Sequence, residues 1–175
     1  MKAKLLILLF LLPILAFSQV TTSPAIPTAN DAITVTFDAT GSELDGYIGD
    51  VYAHTGVTIG GTRWVNTIAP WSTNLEKAKL TRDDSNPNLY TFLITPDVFT
   101  FYGVATSEII TELDLVFRSS DGSKQSRPDI FIPIYAEGLN VAFTSPEDQS
   151  AYSLDDIITI TAESSITADL ELQVN

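Results

Sequence analysis

Six side chains of this sequence have types suited to holding a polar, ring-shaped ligand: Tyr47, Tyr52, His54, Trp64, Trp71 and Arg118. All but Arg118 fall within residues 47–71, which concentrate aromatics, glycines and the single histidine of the chain. Sugar rings present flat apolar C–H faces bordered by hydroxyls. Indole and phenol rings match the faces, and imidazole, amide or guanidinium groups match the hydroxyls. The same rings are also ordinary core material. For Trp64, beside Arg63 on a glycine-rich stretch, core and surface stay equally open. Trp71, behind Pro70, and Tyr52 lean towards the core, and Arg118 towards capping a neighbouring loop.

Other chemistries find less support. With one histidine and no cysteine, a Cys-His pair and a His-rich zinc site are excluded, and His54 would have to be the base of any serine triad. No G-x-S-x-G elbow accompanies it. The 22 acidic residues supply carboxylate pairs everywhere, so a glycosidase pair cannot be picked out by counting. A small sandwich of short strands also offers little depth for a cleft. No calcium loop of the D-x-[DN]-x-[DN]-G type is present, so no catalytic residue, metal or cofactor is expected.

The elements that must position these residues follow from the pattern of the chain. Residues 1–18 read as an export signal, with a basic start, a short apolar run and small residues before Gln19. The apolar run is shorter than the ~20 residues a membrane helix needs. Loss of Lys2 and Lys4 with that signal takes the formal charge from −13 to −15. Such a charge disfavours nucleic acid and anionic lipid as partners and suits a neutral or cationic one. Absence of cysteine means that an exported domain must stand on its hydrophobic core. The expected location is outside the cell or on its surface.

Residues 19–32 read as a leader without regular pairing, because of Pro24 and Pro27. Residues 33–37 alternate, placing Ile33, Val35 and Phe37 towards a core. In the strand that follows, Tyr47, Val51 and Ala53 share one parity and Tyr52 and His54 the other, with residues 56–63 as a loop. Strands follow at 77–82, 89–95, 112–118 and 129–135; the last, with Pro133, suits an edge. Pro96 and Gly103 bracket one short helix, and the Ser119, Ser120, Asp121, Gly122, Ser123 run marks a hairpin. The spacing predicts an all-β fold, an antiparallel β-sandwich of about seven strands over residues 33–136. Residues 137–175 read as the beginning of an Ig-like second β-sandwich, with strands at 140–144, 157–162 and 170–174. A complete one uses ~100 residues, so the sequence is expected to be part of a longer chain.

Several short pieces then occur in order: G-D-V-Y-A-H-T-G at 49–56, W-x6-W at Trp64 and Trp71, K-L-T-R at 79–82, N-L-Y at 88–90, F-Y-G-V at 101–104 and L-V-F-R-S-S-D-G at 115–122. Together they resemble the N-terminal accessory domain of secreted α-amylase-family glycoside hydrolases from Gram-negative bacteria that use a C-terminal sorting domain. Their order is also similar to that of starch-binding carbohydrate-binding modules. The likeness covers residues 33–135 and implies a non-catalytic domain that binds or positions an α-glucan, or another neutral polysaccharide, for a downstream catalytic domain. It assigns no residue roles, so the binding set remains the one read from chemistry. The alternatives are a spacer or protein-docking sandwich that binds no sugar, and a stand-alone surface glycan-binding protein.

Overall fold

The computed structural model describes residues 19–146 and 152–172. The export signal at 1–18 lies outside the described residues. Among them no helix is long and apolar enough to cross a membrane.

The main unit is an antiparallel β-sandwich of two four-stranded sheets. One sheet contains β1 (Val20–Ser23), β2 (Ile33–Asp38), β6 (Leu89–Ile94) and β5 (Thr81–Arg82), in that spatial order. The other contains β4 (Thr62–Val65), β3 (Val51–Ile59), β7 (Ile110–Ser119) and β8 (Ile130–Pro133). Pro133 does lie on an edge strand, where its missing donor costs no ladder bond.

The inner faces carry the residues that alternation selects. Ile33, Val35, Phe37, Tyr90, Phe92 and Ile94 from one sheet meet Val51, Ala53, Val57, Leu113, Leu115 and Phe117 from the other. Phe117 sits centrally, with its ring centroid 4.6 Å from that of Phe37 and 6.4 Å from that of Phe92. The short helix α1 (Val98–Tyr102) closes one end. Pro96 precedes it, and Asp97 is the N-cap, accepting from the Thr100 amide at 2.7 Å. Gly103 stops the helix in the left-handed region, at φ 65°. The buried Tyr102 hydroxyl lies 2.7 Å from Thr55 Oγ1, which donates to the Asp114 carbonyl at 2.8 Å. Burial pushes the Tyr102 phenol well above its ordinary range, so this link stays protonated.

Three expectations need correction. The supposed leader contains β1, paired with β2 from Val20↔Phe37 to Ser23↔Thr34, because its prolines come only after the four paired residues. Residues 56–59 belong to β3 and not to a loop; the turn is Gly60–Gly61, with φ of 58° and 79°, a hairpin geometry glycine adopts freely. Residues 77–78 belong to a 3-10 turn, Glu76–Ala78, and pairing is limited to a bridge between Lys79 and Tyr52 and to the two residues of β5.

Beyond the sandwich, β9 (Val141–Ser145) and β10 (Thr161–Ser164) form a two-stranded ribbon. Residues 157–160 and 170–172, expected as strands, are not paired. Apolar alternation was present there, but no described neighbour supplies a ladder. Residues 173–174 of the last expected strand lie outside the described residues.

Truncating Phe117 to Ala should leave a cavity between the sheets and lower stability by about 3–5 kcal/mol. Urea unfolding followed by tryptophan fluorescence measures the loss.

Candidate functional site

Because β3 faces the core with Val51, Ala53 and Val57, its even-numbered residues point to the outer side of the sheet. There His54 lies between the two tryptophans. Its ring stacks on Trp64 at 5.5 Å and 26°, and meets Trp71 edge-on at 5.1 Å and 66°. Beyond Trp64 stands Phe131 of β8, edge-on at 6.4 Å. Phe131 escaped the sequence reading, although Ile130, Ile132 and Ile134 in phase with the core leave it on the opposite face.

Each tryptophan is held by its own device. At Trp64 the backbone is left-handed, φ 60°, and at Asn66 φ is 50°; asparagine tolerates this region, whereas for a bulky tryptophan it is strained. Its amide donates to the buried carboxylate of Asp114, which also accepts from the Thr58 hydroxyl at 2.8 Å. The Asn66 amide donates to the carbonyls of Tyr102 and Gly103 at 3.2 and 3.1 Å, tying the turn to the end of α1. Gly56, opposite Asp114 in the ladder, lets this turn come close. A Cβ there would stand 2.9 Å from the Val65 carbonyl oxygen and 3.3 Å from the Trp64 carbonyl carbon.

Trp71 is held from below. Arg118 donates from Nη1 to Asn74 Oδ1 at 2.9 Å and to the Ser119 carbonyl at 3.0 Å, and from Nη2 to the Thr73 carbonyl at 2.8 Å. These bonds fix the 71–74 segment. The indole then lies over the β7 hairpin, where a Cβ on Gly122 would sit 2.7 Å from Trp71 Nε1. Asp121 stiffens that hairpin by accepting from the Ser119 hydroxyl at 2.6 Å and from the Ser123 amide and hydroxyl at 3.0 and 2.8 Å. These donors hold its carboxyl down at about 2.

The chain matches no protein-family model and no curated protein. Its candidate site is therefore defined by geometry alone.

The geometry sorts the sequence-selected residues. Trp64, His54 and Trp71 share one solvent-facing patch. Trp71, which the sequence inclined towards the core, is 37% exposed and outside the core cluster. Tyr52 points to the same side but is only 9% exposed, and Arg118 is 1% exposed. Arg118 Cζ lies 5.8 Å from the Tyr52 ring and 5.7 Å from the Trp71 ring, so it positions Trp71 and is not itself a contact surface. Tyr47 is not part of the patch. It packs against the core ahead of β3, folded over Gly49, where a Cβ would stand 2.3 Å from its hydroxyl.

Burial is the main cause that lowers the His54 pKa below its ordinary 6.5; the Arg118 charge adds to it, and the Asp129 carboxylate opposes it. The imidazole between the tryptophans is therefore neutral at pH 7, an apolar stacking partner with polar edges.

The folded site resists the proton that the unfolded chain accepts below pH 6.5, so the contribution of a neutral His54 is complete above that pH and is lost as pH falls through the lowered folded value. Replacing His54 by Gln should remove this part of the acid sensitivity. Urea midpoints of the two proteins between neutral and acid pH should converge on one profile difference confined to the region below 6.5.

Proposed function

We propose that the sandwich is a non-catalytic recognition domain that stacks the rings of a neutral glycan on Trp64 and Trp71, with an α-glucan as the leading ligand. The observation that carries the reading is the construction of the patch. Trp64 is kept in a strained left-handed backbone by a buried carboxylate, and Trp71 is kept at the surface by a buried arginine. Dedicated support for two partly exposed indoles costs stability, and such strain concentrates where function requires a fixed side chain. Neutral His54 between them extends the apolar floor without adding charge. In this reading the chain is exported and presents glucan to a downstream catalytic domain of an α-amylase-type hydrolase.

A spacer that binds no sugar is the competing reading. It draws on the mutual packing of Trp64, His54, Trp71 and Phe131, which could serve only to cover the sheet.

Affinity electrophoresis through gels with and without soluble starch separates the two. The proposed domain is retarded by starch, and Trp64→Ala weakens the interaction on the order of tenfold or more, as for a central aromatic anchor. Identical mobility in both gels, together with tryptophan fluorescence that maltooligosaccharide leaves unchanged, would establish the spacer.

A further inference from the structure

Consecutive side chains of a regular strand point to opposite faces. Arg63 and Trp64 nevertheless both lie against Phe131: the Arg63 guanidinium carbon is 3.5 Å from the ring centroid and the Trp64 ring is edge-on at 6.4 Å. The left-handed φ of 60° at Trp64 breaks the alternation and brings both side chains to one side. Arg63 Nε donates to Glu112 Oε2 at 3.2 Å, while Nη2 reaches Oε1 only at 3.5 Å. Glu112 Oε2 also accepts from the Thr58 hydroxyl at 3.2 Å, so the spare capacity of the pair lies on Oε1 and on the remaining guanidinium N–H groups. Both side chains remain accessible, at 48% and 29%.

An exposed ion pair of this kind contributes little to stability. The cation–π contact with Phe131 holds the guanidinium in place, however, so a donor and an acceptor stand side by side on the Phe131 ring that the Trp64 indole also meets. Adjacent hydroxyls on one pyranose are the complementary chemistry: one accepts from the guanidinium while its neighbour donates to the carboxylate. A lone hydroxyl would use half of the pair. An anionic sugar would meet Glu112, and Asp129 carries a second negative charge close enough to act on His54.

We infer that Arg63 and Glu112 form the polar rim of the Trp64 stacking surface and read a vicinal diol on the stacked ring, restricting the site to neutral sugars whose adjacent hydroxyls are unsubstituted. This rests on the glycan-binding reading of the patch and names the ligand group that it recognises.

The test uses tryptophan-fluorescence titration of the whole chain with maltoheptaose, its 2,3-di-O-methyl derivative and its 6-O-methyl derivative. The wild type should bind maltoheptaose and the 6-O-methyl sugar, and lose the 2,3-di-O-methyl sugar. Arg63→Ala and Glu112→Gln should each weaken maltoheptaose about tenfold, the effect of removing a hydrogen bond to a charged group, while thermal unfolding stays near that of the wild type. If the wild type binds and Trp64→Ala does not, but the Arg63 and Glu112 variants bind normally or the 2,3-di-O-methyl sugar binds as well as maltoheptaose, the rim assignment is wrong and the stacking surface stands. If the wild type binds none of the sugars, both fall.

Discussion

A polar side chain without access to water must find hydrogen-bond partners, and Asp114 finds them in the backbone amide of Trp64 and the hydroxyl of Thr58. The outer face of the second sheet is organised by that requirement. Trp64 takes its unusual backbone because its amide is held there, and its indole then falls on His54. The glycine at position 56 is required by the same arrangement, since the turn carrying Trp64 crosses the ladder where any side chain would collide.

The two sides of the second sheet are therefore built by different physics. The inner side is aliphatic and aromatic burial, tolerant of modest repacking as long as volume is conserved. The outer side depends on a few directional bonds from buried polar groups, Asp114 at one tryptophan and Arg118 at the other. Their partners are mostly main-chain groups: the Trp64 amide in β4, the carbonyl of Thr73 in the loop after it, and the carbonyl of Ser119 at the end of β7. Both anchors sit on β7, the long central strand, so the most rigid part of the domain places the two indoles relative to each other.

Part of the sandwich was legible in the sequence because alternation decides it: Ile33, Val35 and Phe37 were read as facing a core and are buried there, whereas β6 has apolar residues on both parities and its inner set, Tyr90, Phe92 and Ile94, is defined by the packing. Gly103 and the Asp121–Gly122 turn were equally readable, since their roles are local. Readings failed where a residue's role is set by something distant in the chain. Gly56 looked like a loop glycine, yet what it accommodates is the backbone of Trp64 and Val65 and the Thr67 hydroxyl. Trp71 looked like core because nothing near it announces Arg118, far along the chain, which holds its segment at the surface. Tyr47 was chosen for its ring chemistry, although its shared parity with Val51 and Ala53 already set it apart from Tyr52 and His54; it packs against the core, ahead of a strand that begins at Val51. Proline at 24 and 27 marked where β1 stops and hid that it starts.

Trp64 occupies a backbone conformation for which glycine or asparagine is the easiest residue. Either would relieve the strain and fold more readily than the residue present. Random drift at this position should therefore be rewarded by stability and penalised only through whatever the indole does. A tryptophan that persists there through divergence would record selection on recognition separately from selection on folding, which buried positions such as Phe117 can never do.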